Sequence, residues 1–265
     1  MAPGVGFIGL GNMGGALVRG LAGDRTRSLA GFDPDKNLGE ALSRECGLLS
    51  LGSAEAVCAE STYLILAVKP QIVRPVLESL APRLTSEHYL VSIAAGVRIG
   101  SLSEWSGNIC PVVRVMPNAP AMTGGGVFGL CFDHHLVSRE VRDGVMGLFS
   151  AVGQTHVLTE AMLDVFTALV GSGPAFVLHC MEAMIDAGVT FGLPRAEATK
   201  MIVGLFSGTA GMAVQTGTHV TLLKEMVTSP GGTTIAGLNA MDRAGVKAGL
   251  HEAVRAALER CRELG

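Results

Sequence analysis

The sequence predicts an α/β domain over residues 1–158, followed by an all-helical domain over residues 159–265. Two observations support this division. Through residue 158, short β-rich runs alternate with helical patterns, which is typical of a mostly parallel sheet with helices on its faces. From Glu160 onward the apolar residues follow the helical period almost throughout. With 265 residues, 48% of them apolar, the chain is long enough for two domains with buried cores.

In the first domain, strands and helices are bounded by glycine, proline and polar residues. Residues 63–68 form a continuous apolar run, as expected of a central strand covered on both faces. Pro70 then opens a helix at its first turn, where the missing N–H costs nothing. The predicted strands are residues 5–9, 28–32, 63–68, 89–94, 112–116, 125–131 and 155–158, the 125–131 strand near an edge. The other predicted helices are 12–22, 35–46 and 138–152.

The second domain has helical faces rich in Ala, Gly, Met and Leu, with few charges. The predicted helices are 160–169, 174–190, 195–215, 219–227, 233–243 and 245–262. Small side chains let helices approach closely, and there is more apolar surface than so short a domain can bury alone. We therefore expect this domain to pack against a second subunit.

Composition excludes several other classes of partner. The net charge of −3 and the lack of a Lys/Arg-rich run argue against nucleic acid or an anionic membrane. No uncharged apolar run reaches the roughly 20 residues of a membrane span. The six cysteines are scattered without metal-ligand spacing, so we expect core thiols, no metal site and a cytosolic location.

The first strand ends in a glycine-rich turn, Gly9-Leu10-Gly11-Asn12-Met13-Gly14, and a helix begins there. This is the context of a dinucleotide fingerprint, in which glycines allow a tight turn and a close approach to the pyrophosphate. The helix N-terminus then faces the phosphates. The alternative is a glycine-rich turn that serves packing only.

Asp33 follows the second strand, 22 residues after Gly11. An acid at this place holds the ribose hydroxyls of NAD and repels the 2′-phosphate of NADP. The nearby loop offers only Lys36 as a compensating cation, which favours NADH. Asp33 could instead cap the following helix, as part of Asp33-Pro34-Asp35.

Two further turns directly follow central strands of the predicted sheet. They are Ala67-Val68-Lys69-Pro70 and Ala94-Ala95-Gly96, whose small residues suit the nicotinamide ribose. Lys69 either meets the cofactor or substrate, or is a solvated charge at a helix start. The double-proline loop after Arg114, through Pro120, is stiff enough to form a wall of the active site.

Residues 227–238, VTSPGGTTIAGL, are the most informative stretch of the second domain. Gly231 and Gly232 permit backbone angles that other residues avoid, and Thr233 and Thr234 follow in the first turn of a new helix. N–H groups there lack partners within the helix and can bind a carboxylate or phosphate. The alternative is a helix connection with a threonine cap.

Six segments occur in the order GLGNMG, AVKP, SIAAGV, RVMPNAPA, GSGPAF and SPGGTTI. In these residues and spacings the chain closely resembles the pyrroline-5-carboxylate reductase family, from Val5 to about Glu263. The resemblance implies a Rossmann domain and an all-α dimerisation domain. It implies interlocked homodimers, sometimes assembled into rings, whose substrate sites are completed by both subunits. The implied reaction is reduction of 1-pyrroline-5-carboxylate to L-proline with NADPH or NADH.

The resemblance also assigns site residues. Implied cofactor contacts are Ile8, Gly9, Leu10, Gly11, Asn12, Met13, Phe32, Asp33, Pro34, Ser53, Ala67, Val68, Lys69, Pro70, Ala94, Ala95 and Gly96. Implied substrate contacts are Glu160, Thr233 and Thr234, besides Gly231 and Gly232 of the anion-binding turn. From the residues alone, Glu160 is equally well a carboxylate at a helix N-terminus. Many relatives carry Ser or Thr where Asp33 stands, which makes the usual NADPH preference doubtful here.

The predicted chemistry is hydride transfer to an imine carbon, with Thr234 as the catalytic hydroxyl facing the ring nitrogen. Other cyclic imines remain alternative substrates. Related hydroxyacid dehydrogenases need a catalytic Lys in the helix after a glycine-rich turn, and residues 175–185 contain no Lys. A non-catalytic NAD(H) sensor would not need a second anion site. We expect His179 in the core or a subunit interface, and His134 and His135 in a solvated turn.

Overall fold

The computed structural model describes residues 4–24 and 26–264, and the chain divides into two compact units. The first unit contains the sheet and continues through Ser172, and the chain end from Ala257 belongs to it. The second unit is Gly173–Ala256. The first unit extends past residue 158 because the helix that follows packs on two strands of the sheet.

In the part of the chain that the structure describes, the sheet of the first unit has eight strands, and all neighbouring strands are parallel except one antiparallel pair. The strands are β1 Val5–Ile8, β2 Leu29–Phe32, β3 Leu49–Ser50, β4 Tyr63–Leu66, β5 Tyr89–Ser92, β6 Val112–Met116, β7 Gly126–Cys131 and β8 Gly153–Val157. Their order is β3-β2-β1-β4-β5-β6-β7-β8, with β6 and β7 antiparallel. Strand β7 therefore lies next to the edge strand β8, as the sequence predicted.

Among the described residues, seven helices belong to the first unit before Ser172. They are α1 Asn12–Leu21, α2 Lys36–Cys46, α3 Ala54–Glu60, α4 Pro70–Leu80, α5 Ile99–Trp105, α6 Arg139–Ser150 and α7 Glu160–Phe166. Short 3₁₀ turns lie at Ala81–Arg83 and Ala119–Thr123, and a π turn at Thr167–Gly171 continues α7. Pro70 occupies the first turn of α4, where a residue without an N–H is tolerated.

Strand β4 lies at the centre of the core. Tyr63 and Ile65 belong to one apolar cluster and Leu64 and Leu66 to another, so helices cover both faces of the sheet. All four residues are buried, and each fully buried large side chain stabilises the fold by about 2 kcal/mol. The continuous apolar run therefore predicted the central strand correctly.

The second unit is helical, with α8 Gly173–Thr190, α9 Arg195–Thr216, α10 Val220–Met226, α11 Thr233–Arg243 and α12 Val246–Leu264, whose end belongs to the first unit. Large apolar side chains stand exposed in this unit, including Phe191 in the turn after α8 at 87% and Met226 at the end of α10 at 76%. The helical stretch Glu160–Thr190 is long and apolar enough, by length and composition, to cross a membrane, and only 17% of its most apolar window is buried.

Among the described elements, the short β3, α3 and α5 were not predicted from the sequence. Strand β3 has two residues and each of the two helices has seven, which is too short to show a clear period. Helix α3 nevertheless carries a polar start signal, because the Ser53 hydroxyl accepts a hydrogen bond from Ala56 N at 3.2 Å. The long, periodic elements were placed within about two residues.

The cysteines are all free, and four of them are buried. Burial raises the pKa of the Cys110 thiol to about 11 and that of Cys131 to about 12. Thiols with such pKa values stay protonated and unreactive at neutral pH. These side chains therefore serve as small core hydrophobes, in agreement with the sequence prediction.

The expectation of a solvated turn was wrong for His134. His134 is only 7% exposed, and its Nε2 lies 2.9 Å from the Ser103 hydroxyl, which donates to Asn108 Oδ1. Its ring is therefore a buried hydrogen-bonded group, whereas its neighbour His135 is exposed. His179 is no core residue of this chain, because its side chain is 83% exposed, so its place in a subunit interface stays a prediction.

Candidate active site

The predicted cofactor residues meet at one edge of the sheet. Strands β1, β2, β4 and β5 are parallel, so the turns that follow them all lie at their carboxyl ends. Strand β1 pairs with β2 on one side and with β4 on the other, and the strand order reverses at this point. Open α/β sheets bind ligands in the crevice outside such a switch point.

The glycines of the first turn have different reasons to be glycine. Gly9 has φ +98°, and a Cβ there would lie 2.6 Å from the Ala67 carbonyl oxygen. A Cβ on Gly14 would meet the Gly9 carbonyl oxygen, so packing explains both residues. A Cβ on Gly11 would meet nothing within 4 Å. Packing therefore leaves Gly11 unexplained, whereas close approach of a ligand explains it.

Helix α1 begins directly behind this open space. Gly11 is its N-cap and supplies no side chain, and the first helical bond runs from Gly15 N to Gly11 O at 2.8 Å. Within the described residues, the N–H groups of Asn12, Met13 and Gly14 have no acceptor. A pyrophosphate fits this cradle because free N–H groups and the helix dipole both favour an anion.

Asp33 joins the second strand to the glycine turn. Its Oδ2 accepts a hydrogen bond from Leu10 N at 2.7 Å, and its Oδ1 accepts one from Asp35 N at 3.0 Å. The N-cap of α2 is Asp35, whose carboxylate accepts from Asn37 N at 3.0 Å. The alternative in which Asp33 caps α2 was therefore wrong.

The remaining predicted cofactor residues lie in the other turns of this edge. Lys69 is the N-cap residue of α4, and its exposed side chain has no partner within the described part of the chain. Gly96 has φ +77°, which only glycine adopts readily. Ser53 caps α3 with its hydroxyl. Ile8 and Phe32 are the last residues of β1 and β2, and Pro34, Val68, Pro70, Ala94 and Ala95 lie in or beside the turns.

A partly buried ion pair involves Glu160, the first residue of α7. Its Oε1 lies 2.8 Å from Arg114 Nη1 and also accepts from Ile99 N at 2.7 Å. The interpretation of Glu160 as a mere helix-start carboxylate is incomplete, because its side chain binds β6 and the start of α5. No sequence pattern assigned a role to the Arg114 side chain. A charged residue inside the apolar run VVRVM was the signal, since an arginine there must be paired when buried.

In the second unit, the turn before α11 has the predicted conformation. Gly231 has φ +67°, and Gly232 is the N-cap of α11 without any side-chain cap. The N–H groups of Thr233, Thr234 and Ile235 find no acceptor within the described residues, and both threonines are exposed. The alternative of a threonine cap was therefore wrong. The open helix start can receive a carboxylate.

The fold and the carboxyl-edge turns define a dinucleotide-binding oxidoreductase that uses NAD(P)H. Within residues 4–24 and 26–264, no group of three or more His, Cys, Asp or Glu side chains could hold a metal ion. Residues 4–96 match the family of coenzyme F420-dependent NADP oxidoreductases. Residues 160–264 match the pyrroline-5-carboxylate reductase dimerisation family.

Similar proteins identify the family of this chain within the class of NAD(P)H-dependent oxidoreductases. The pyrroline-5-carboxylate reductase of Methanosarcina acetivorans is 37% identical, over 98% of this chain and 97% of its own length. The NADP-bound pyrroline carboxylate reductase of Plasmodium falciparum has a TM-score of 0.88 at 33% identity, covering 100% of this chain and 98% of its own. The Coxiella burnetii pyrroline-5-carboxylate reductase has a TM-score of 0.94 at 28% identity, covering 100% and 99%. The chain belongs to the pyrroline-5-carboxylate reductase family, which confirms the resemblance seen in the sequence.

Proposed function

We propose that this chain reduces 1-pyrroline-5-carboxylate to L-proline with NAD(P)H, the last step of proline biosynthesis. The observation that carries the proposal is the open N-terminus of α11, with its unpaired N–H groups at Thr233 and Thr234. It provides an anion site in addition to the dinucleotide cradle at α1. An amino acid precursor needs such a site for its carboxylate, and the similar proteins bear the name of this activity.

The turns of the carboxyl edge would hold the dinucleotide. The N–H groups at the start of α1 would bind the pyrophosphate, and the open space at Gly11 admits it. Asp33 would face the adenosine ribose, while the turns ending at Pro70 and Gly96 would line the nicotinamide ribose. When bound, NAD(P)H supplies a hydride to the imine carbon, and the ring nitrogen gains a proton.

The start of α11 would hold the substrate carboxylate. The turn at Gly231 and Gly232 leaves the backbone N–H groups of Thr233 and Thr234 free for it, whereas Gly232 N donates to Ser229 O at 3.1 Å. The helix dipole adds to the attraction. The Thr234 hydroxyl would hydrogen-bond the ring nitrogen and assist proton delivery. An unassisted hydroxyl has no pKa near neutrality, so water or protonated substrate supplies the proton. Glu160 would be a further substrate contact.

The helical domain of residues 159–265 would form the subunit interface. The match to a dimerisation family supports an oligomer, and we propose an interlocked dimer, with rings of dimers as a higher assembly. An apolar groove of ≈ 510 Å³ between α9 and α10, lined by residues such as Phe206, Ala213 and Leu223, supports burial against a second copy. We place the functional boundary at 158/159, beside the start of the dimerisation match at residue 160. The free, buried thiols support a cytosolic location.

Initial rates of NADH and NADPH oxidation with 1-pyrroline-5-carboxylate test this function directly. Turnover with formation of L-proline supports the proposal, and the rate ratio reports the cofactor preference. Absence of turnover, while fluorescence reports cofactor binding, would contradict it and direct the search to other cyclic imines. Binding without turnover of any imine would favour an NAD(H) sensor.

A further inference from the structure

Arg114 is a buried cation on an inner strand of the sheet. It lies on β6, and its side chain is only 7% exposed. Its Nη1 donates to Glu160 Oε1 at 2.8 Å. A buried guanidinium needs a partner because removal from water is costly, so this pair is held firmly together.

The same oxygen of Glu160 has a second donor. Ile99 N, at the start of α5, donates to Oε1 at 2.7 Å. Gly96 ends a turn that the proposed function assigns to the cofactor, and Ile99 follows Gly96 by three residues. Within the described residues, the other oxygen, Oε2, makes no hydrogen bond, and the Glu160 side chain is 28% exposed. One oxygen is fixed and the other remains available to a ligand.

The backbone of Glu160 is fixed as well. Its N–H donates to Asp133 Oδ2 at 2.8 Å, in the segment that follows β7. The carboxylate is thus held by β6 and α5, and its backbone by the end of β7. A side chain held at both ends loses rotamer freedom before any ligand arrives, and such preorganisation increases affinity.

We propose that Arg114 is a positioning residue for the imine substrate. It holds Glu160 Oε1 against Ile99 N, so that Oε2 is presented to the substrate beside the turn that ends at Gly96. This inference rests on the proposed function, in which Glu160 contacts the substrate. Arg114 itself touches neither substrate nor cofactor and acts through Glu160.

Steady-state kinetics on R114M, R114K, E160Q and the double variant R114M/E160Q test the inference. We expect each single variant to lower kcat/KM for 1-pyrroline-5-carboxylate about 30-fold, mainly through KM, because the carboxylate is lost or misplaced. The cofactor Kd should stay within about 3-fold of wild type. The double variant should be no worse than about 3-fold below the poorer single variant, because both changes remove the same interaction.

A purely structural ion pair predicts a different pattern. R114M/E160Q leaves no unpaired buried charge, so its Tm should recover relative to R114M, and a structural pair would then recover its activity too. R139M is the matched control, because Arg139 pairs with Asp143 on the exposed surface of α6. R114K keeps the charge and remains informative where R114M fails to fold.

The outcomes separate the two proposals. If the wild-type enzyme turns over, and kcat/KM of R114M and R114K lies within about 3-fold of that of the R139M control, the positioning role is overturned while the proposed function stands. Recovery of kcat/KM in the double variant also overturns it. Absence of wild-type turnover overturns the proposed function together with this inference.

Discussion

The Asp33 carboxylate accepts the backbone N–H of Leu10 at 2.7 Å, and this bond joins the end of β2 to the glycine turn after β1. The acid that would select between the two dinucleotides therefore also supports the turn that would hold their pyrophosphate. A substitution at Asp33 should consequently have two effects. It should change the preference for the 2′-phosphate and weaken the turn for both cofactors.

Replacement of Asp33 by Ser should raise the NADPH/NADH ratio of kcat/KM about tenfold, because it removes the negative charge that repels a 2′-phosphate. The absolute kcat/KM with NADH should fall, because Leu10 N loses its acceptor. Initial rates with both cofactors check this. D35S is the control, since Asp35 caps α2 without binding the glycine turn. An unaltered ratio in D33S would remove Asp33 from cofactor selection.

Replacement of Gly11 by Ala should lower dinucleotide affinity about tenfold or more without destabilising the protein. The added Cβ meets no protein atom, but it occupies the open space in front of α1. Fluorescence titration and thermal melting without cofactor measure the two quantities. G147A is the matched control, because Gly147 lies exposed in α6 and a Cβ there also meets nothing. Equal cofactor affinity in G11A and G147A would contradict the proposed cradle.

Replacement of Thr234 by Ala should lower kcat/KM for the imine about 10- to 100-fold, because the ring nitrogen loses its hydroxyl partner. Cofactor Kd should stay nearly unchanged. T234S retains the hydroxyl and should keep most of the activity. T228A serves as a second control, since the Thr228 hydroxyl donates to Lys224 O within the same unit. Unchanged turnover in T234A would remove Thr234 from the mechanism.

The buried ring of His134 should make stability depend on pH. Burial, with a smaller effect from the charge of His135, lowers the pKa of His134 in the folded protein. Its Nδ1 accepts from Val112 N and Leu136 N, each at 3.4 Å, and protonation removes this acceptor. As pH falls below about 6.5, the unfolded chain binds the proton before the native state does, so stability declines.

Thermal melting at pH 7.5 and pH 5.5 checks this expectation. The loss of Tm on acidification should be smaller in H134Q than in wild type, because the titrating group is absent. H251Q, at an exposed position of α12, should keep the wild-type loss. An equal loss of Tm in H134Q and wild type would show that His134 does not carry the effect.

Local patterns in the sequence were sufficient for the features that depend on neighbouring residues. The glycine spacing from Gly9 to Gly14 predicted the turn before α1, because φ angles and a helix start are local properties. The run Gly231-Gly232-Thr233-Thr234 predicted the open start of α11 for the same reason. The apolar run at residues 63–68 predicted the central strand, since burial on both faces requires it.

Contacts between distant segments were decided only by the tertiary structure. Asp33 and Leu10 lie 23 positions apart, and Arg114 and Glu160 lie 46 apart. No period or spacing specifies which carboxylate reaches which donor over such distances. Packing of α7 on β6 and β7 brings Glu160 to Arg114, and the crossover between β1 and β2 brings Asp33 to Leu10. The sequence by itself thus determined the family, the fold class and the local turns. The tertiary structure decided the partners of the charged side chains, because only packing brings remote groups within hydrogen-bond distance.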